Sequence, residues 1–208
     1  HVMEWSTNIA LGWEYAGTSM AWIQNTAIGW YQAGSSMIWS NNVWIWWAQA
    51  WWAMAGQNNT AVGWQAVWRL ITGTWNSAFG WYFGGHNASG QWNTIIGWSY
   101  VGETLWGTYN TAAWWYRAGY GMLGTLNSAF GWDLAWFNSN GMRNTSIGWQ
   151  YVWNALTGSY NTALGWYNAT ITNSAVQYSV VIGSGAYSNQ SWAVVIGWSG
   201  SNVGIWNP

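Results

Sequence analysis

Acid–base chemistry in this chain would fall to four carboxylates, Glu4, Glu14, Glu103 and Asp133, and two imidazoles, His1 and His86. Their placement is poor for it. Cleaving a glycosidic bond needs two carboxyl groups flanking it. Glu103 and Asp133 lie 30 residues apart, which is not a multiple of the repeat described below, so no shared face is implied. Two histidines with so few partners cannot make a metal cluster. A nucleophilic triad would need histidine, carboxylate and nucleophile together, and His86 is expected to be a solvated turn residue. There is no cysteine, which removes thiolate nucleophiles, disulfides and thiolate metal sites. Gly183-Ser184-Gly185 has the look of a phosphate loop, but no Gly-Lys-Ser/Thr follows it. No catalytic residue, cofactor or metal ligand is therefore assigned, and the chain reads as a non-enzyme.

Binding chemistry is more promising, and it is aromatic. The 208 residues include 27 tryptophans but only seven charged residues; lysine is absent and the formal net charge is -1. That balance excludes nucleic acid, whose phosphates call for clustered Lys and Arg, and excludes a polybasic membrane contact. No apolar run reaches the roughly 20 residues of a membrane helix, so no membrane insertion by this segment is expected. Trp51, Trp52, Trp68, Trp136 and Trp153 stand five or six residues after the slot of a recurring glycine, where a turn is expected. Exposed there, they would stack on a surface glycan or a protein patch; alternatively they pack between copies of the chain. Asn-X-Ser/Thr matches such as those at Asn58, Asn87, Asn168 and Asn189 are attributed to chance in so Asn-rich a chain.

The element that must position these residues is a repeat. Asn161-Thr162-Ala163-Leu164-Gly165-Trp166 recurs as Asn25-Thr26-Ala27-Ile28-Gly29-Trp30 and Asn59-Thr60-Ala61-Val62-Gly63-Trp64. The motif glycines are Gly12, Gly29, Gly63, Gly80, Gly97, Gly131, Gly148 and Gly165, separated by 17 or 34, with Trp46 and Trp114 in the two remaining slots. A tryptophan there is expected to disturb close packing. Asparagine stands four residues before the slot in all ten units, from Asn8 to Asn161, and tryptophan one residue after it, from Trp13 to Trp166. A second glycine follows ten residues on in seven units, and an apolar residue such as Met37, Leu105 or Met122 eight residues on. A fixed period of this length marks a solenoid.

The motif alternates, as a strand does: Thr60, Val62 and Trp64 share one face, Ala61 and Gly63 the other. The spacing predicts an all-β parallel solenoid with 17-residue coils, each of two short strands and two turns. Glycine and the asparagine are expected to supply left-handed turn geometry. Stacked coils bring identical residues about 4.8 Å apart, so ten coils make a rod of roughly 48 Å, with Asn ladders and aromatic stacks along it. The interior is expected to be the column of Ile, Val, Leu and Phe. Residues 1–170 form this ten-coil part. From Gly165 the spacing changes to 18 and then 14, through Gly183 and Gly197, so residues 171–208 are read as shorter turns of about 14 residues. The start, His1-Val2-Met3-Glu4, has no signal-peptide character, and the chain is expected to be a piece of something longer.

These repeated Asn-Thr-Ala-Ile-Gly units resemble the head repeats of trimeric autotransporter adhesins, the YadA-like family, and of related bacteriophage tail fibres. Ser179-Val180-Val181-Ile182-Gly183-Ser184-Gly185-Ala186-Tyr187-Ser188 is similar to the family's 14-residue repeat. The resemblance implies a left-handed β-roll, a homotrimer, an extracellular place on a bacterial cell or virion surface, and attachment or host recognition. The sequence departs from it in having Trp, not Tyr, after the glycine, and in its scarcity of charge. Two other roles are compatible with the repeat, a purely structural stalk or filament subunit and, more remotely, a tail-spike enzyme acting on glycans.

Overall fold

A computed structural model describes residues 2–4, 7–14, 19–21, 24–31, 37–38, 40–48, 54–65, 71–82, 88–99, 105–116, 120–133, 137–139, 141–150, 158–167, 170–171, 176–198 and 201–205. Every regular element among them is a β-strand. Among the described residues, each of the first nine coils gives one strand to each of two sheets, and near the C-terminus Thr170–Ile171 pairs with Tyr187–Ser188 in a third, two-stranded sheet. In three consecutive coils the two strands are Met54–Gln57 and Thr60–Gln65, Ile71–Thr74 and Ser77–Tyr82, then Ala88–Gln91 and Thr94–Ser99. The long sheet has thirteen strands and the short sheet nine. Thr60 pairs with Ser77 and Ser77 with Thr94, Gly63 with Gly80 and Gly80 with Gly97, all in parallel. The fold is a parallel β-solenoid whose register is the sequence period. Gly29, Trp46 and Gly63 are successive partners, as are Gly97 and Trp114, so tryptophan in the glycine slot keeps the backbone pairing on both sides at Trp46 and toward Gly97 at Trp114.

Near the C-terminus Leu164 pairs with Ile182 and Ile182 with Ile196, steps of 18 and 14 residues. The end differs from expectation. Ser201–Ile205 does not form another coil; it folds back antiparallel on Val194–Trp198, pairing Ile196 with Val203. The strand thereby covers the edge that Val194–Trp198 would otherwise leave open.

The interior also differs from expectation. The alternation is as read, but the faces are reversed. Ala27, Ala61, Ala78, Ala112, Ala129 and Ala163 are fully buried, whereas the column before the motif glycine points outward: Leu11 is 57% and Ile96 48% exposed. Opposite the alanines, Leu105 and Met122 of the short sheet are fully buried; they are the apolar residues eight places after the glycine slot. A 17-residue circuit encloses little volume, and interiors pack densely, so small side chains from one sheet face large ones from the other. Trp44 and Ile95 are exceptions. Both occupy alanine slots at 1% exposure, and the Trp44 indole Nε1 has no partner among the described residues.

The corner between the two strands of a coil is two residues long. Asparagine holds it, but in a different way from expectation. The left-handed residue is the one before it, or before Ser179 and Ala193 near the C-terminus: Asn41, Asn58, Trp75, Trp92, Tyr109, Leu126, Arg143, Tyr160, Tyr178 and Trp192 all have φ between 55° and 61°. The asparagine itself is buried, and its side chain ties one coil to the next. Asn110 Nδ2 donates to the Gly124 carbonyl (2.9 Å), and Asn110 Oδ1 accepts the Asn127 backbone N–H (3.0 Å). The same Oδ1 bond recurs at 2.9–3.1 Å from Asn8 to Asn161, whose Oδ1 accepts the Ser179 N–H. Buried backbone groups need such partners. Ser179 then takes over the rung, its Oγ accepting the Ala193 N–H at 3.3 Å. The second glycine column is equally constrained. Gly107 has φ +127°, and a Cβ there would lie 1.9 Å from the Gly124 carbonyl oxygen.

Candidate functional site

Trp51, Trp52, Trp68, Trp136 and Trp153, the turn tryptophans singled out from the sequence, lie outside the described residues, as do His1, His86 and Glu103. Among the described residues no group of three or more His, Cys, Asp and Glu stands together. The features that could engage another molecule are two outward surfaces that sequence reasoning had placed elsewhere or passed over.

The first is the outer face of the long sheet. Because the small residues point inward, three apolar or hydroxyl-bearing columns point outward: Thr60 and its equivalents, the aliphatic or phenylalanine column, and the tryptophan column. None of these positions carries a charge in any of the ten coils. The indoles stack from Trp30 to Trp166. Centroid spacings are 5.6 Å for Trp30–Trp47, 4.7 Å for Trp64–Trp81 and 4.9 Å for Trp98–Trp115, the last at an interplanar angle of 2°. The strand spacing of about 4.8 Å sets this repeat. Between the columns runs a shallow groove floored by the motif glycines. One section, about 420 Å³, is lined by Phe79, Ile96, Gly97, Trp98, Ala113, Trp115 and Phe130. Another, about 540 Å³, is lined by Ile147, Gly148, Leu164 and Gly165 between Trp132, Trp149 and Trp166.

The second surface is the corner. The left-handed residues project along it as a straight exposed row. Trp75 stacks on Trp92 (4.9 Å, 1°) and Trp92 on Tyr109 (6.0 Å, 3°); further on, Tyr160 stacks on Tyr178 (4.6 Å) and Tyr178 on Trp192 (4.3 Å). Leu126 and Arg143 stand between these two groups. Arg143 Nη1 donates to the Tyr160 hydroxyl at 3.1 Å, with its guanidinium carbon 5.3 Å from the Tyr160 ring centre. That geometry suits a cation–π contact.

Stacking decides what the rings can do. A ring inside a ladder has both faces covered by its neighbours, so what it shows to solvent is its edge. Face-on recognition of a sugar or another flat group is confined to ladder ends, such as Trp166, 63% exposed, and Trp192, 69% exposed. The sequence signal for the first surface was the bare Ala/Gly face itself, which can belong to a narrow interior. The corner row had no such signal, because its residue types vary from Gln24 to Arg143.

No protein-family model, no curated protein and no solved structure matches the chain.

Proposed function

We propose that the chain is a rod-like segment of an extracellular surface fibre, on a bacterial cell or virion, which assembles as a homotrimer and serves attachment. The observation that supports this is the uncovered outer face of the long sheet. From the threonine column to the tryptophan column it is about 13 Å wide, and over ten coils about 48 Å long, so its projected area is roughly 600 Å². Apolar patches of that size sit at the upper end of what a monomer exposes, and they mark interaction sites. The face runs the whole length of the rod without charge, so its natural cover is something equally long, apolar and regular. A second and third copy of the same rod supply that, and three rods around a threefold axis close on themselves. The antiparallel strand Ser201–Ile205 favours side-by-side assembly over growth through the C-terminal end, since it occupies the edge an incoming strand would use.

Sedimentation equilibrium of the purified chain tests the reading. The expected particle has three times the 23.4 kDa protomer mass. Replacing Ile96 and Ile147 together by lysine is expected to return it to a folded monomer. A wild-type chain that sediments cleanly as a monomer at micromolar concentration would overturn the proposal.

A further inference from the structure

The corner row poses a question that the fold alone does not answer. Its position requires a left-handed backbone, which Asn tolerates and which bulky side chains adopt rarely and at a cost. Asn41 and Asn58 occupy the same slot in two coils, with φ 61° and 57°, so asparagine suffices for the turn. Yet six of the following positions carry Trp75, Trp92, Tyr109, Tyr160, Tyr178 and Trp192, all exposed to solvent. Strained residues that the fold does not need point to a use.

We propose that this row is an interfacial lipid-binding edge, which takes the headgroup region of a zwitterionic bilayer; the inference gives the attachment reading a chemical target, but it does not depend on how copies assemble. Four observations carry it. The row is straight: the register of the coils sets its residues in line along the rod, about 34 Å from Trp75 to Trp192 at the strand spacing, so all of them reach one depth of a flat surface. Its rings present edges. Tryptophan and tyrosine, each an apolar ring carrying one polar group, are the residues that settle at the boundary between acyl chains and headgroups. The carbonyl and phosphate oxygens there accept from indole and phenol donors. Leu126, at 42% exposure, continues the apolar line. Finally, the row holds a single charge, Arg143, which fits one phosphate without requiring an anionic membrane. A linear glycan fits less well, because its rings stack on aromatic faces and the ladder has used those.

The test is flotation of the full chain with vesicles of pure dioleoylphosphatidylcholine. Wild-type protein is expected to float with them, and raising the salt should leave binding unchanged, since the contact is apolar. Two variants divide the row: Trp75→Asn with Trp92→Asn and Tyr109→Asn, and Tyr160→Asn with Tyr178→Asn and Trp192→Asn. Each keeps a turn residue the chain already uses, so each should fold and keep its sedimentation mass. Each should lose about tenfold or more in vesicle partitioning. If a variant fails to fold, an environment-sensitive fluorophore on Gln177→Cys, beside Tyr178, gives a second readout in an otherwise wild-type row; its emission should shift to the blue on adding vesicles. Three results would overturn the proposal: wild-type protein that ignores neutral vesicles, binding that needs anionic lipid and is abolished by salt, or folded half-row variants that bind as well as wild type.

Discussion

Removing one asparagine from the middle of the ladder is the perturbation whose size follows most directly from the structure. Asn110→Ala deletes two bonds to the next coil at once: the donation from Nδ2 to the Gly124 carbonyl at 2.9 Å, and the acceptance by Oδ1 of the Asn127 N–H at 3.0 Å. Both orphaned groups belong to the backbone, and the site is buried, so water cannot readily replace the side chain. Each buried group left without a partner costs about 1–3 kcal/mol, which makes the expected loss roughly 2–6 kcal/mol. Two further substitutions set the scale. Asn110→Ser restores an acceptor, as Ser179 does on its own rung, and should recover about half of that loss. Asn8→Ala removes only the bond from the Asn25 N–H, because Asn8 Nδ2 has no partner among the described residues, so its loss should be nearer about 1–3 kcal/mol. Urea unfolding with amide exchange read by mass spectrometry would measure all three. In a solenoid, coils open in part, so exchange in the coils on either side of residue 110 should rise before it rises at the ends. A loss below 1 kcal/mol for Asn110→Ala, or the same loss for Asn8→Ala, would refute the view that these side chains hold the coils together.

Other substitutions probe the remaining columns. Gly107→Ala puts a Cβ 1.9 Å from the Gly124 carbonyl oxygen at a backbone angle that side chains avoid, so it should lower stability by roughly 3–6 kcal/mol in urea titration. Trp98→Ala removes stacking on Trp81 and Trp115; at about 0.5–1.5 kcal/mol per aromatic pair, the expected loss is ~1–3 kcal/mol, with a fall in the far-UV exciton signal of the indole column. Val203→Pro breaks the pairing of the terminal strand with Ile196 and bares the last edge, so light scattering should report association that grows with concentration.

What the sequence disclosed was whatever repeats without exception. The Asn column and the 17-residue period fixed the register, because in a stack of coils one pairing determines all others. Strand alternation likewise separated Ala61 and Gly63 from Val62 and Trp64. It could not say which set faces inward, since period two is symmetric about the sheet. Assigning the bulkier apolar set to the interior failed on volume: the circuit is narrow, alanine and Leu105 or Met122 fill it, and Ile96 and Trp98 are left outside. The asparagine was visible as a turn residue, but its work is done by the buried side chain, and the left-handed angle belongs to its neighbour. That neighbour varies freely in type, so no pattern marked it. The closing antiparallel strand was hidden for a different reason. Ser201–Ile205 reads much like any other short strand, and direction is set by the two-residue span to Trp198, which periodicity does not record.

The central claim, that equivalent residues stand one above another at a constant rise, is open to direct distance measurement. The chain has no cysteine, so any pair introduced carries the only labels, and dilution with unlabelled chain removes signals between copies. Gln57 and Gln177 are exposed, and they share one column with Thr74, Gln91, Thr108 and Thr125. Spin labels on Gln57→Cys and Thr125→Cys, four coils apart, should lie about 19 Å from each other; labels on Gln57→Cys and Gln177→Cys, seven coils apart, about 33 Å, both following from a rise of about 4.8 Å per coil. Electron–electron resonance distances on that line would support the stacked rod. Two distances that do not grow in proportion to the number of intervening coils would contradict it.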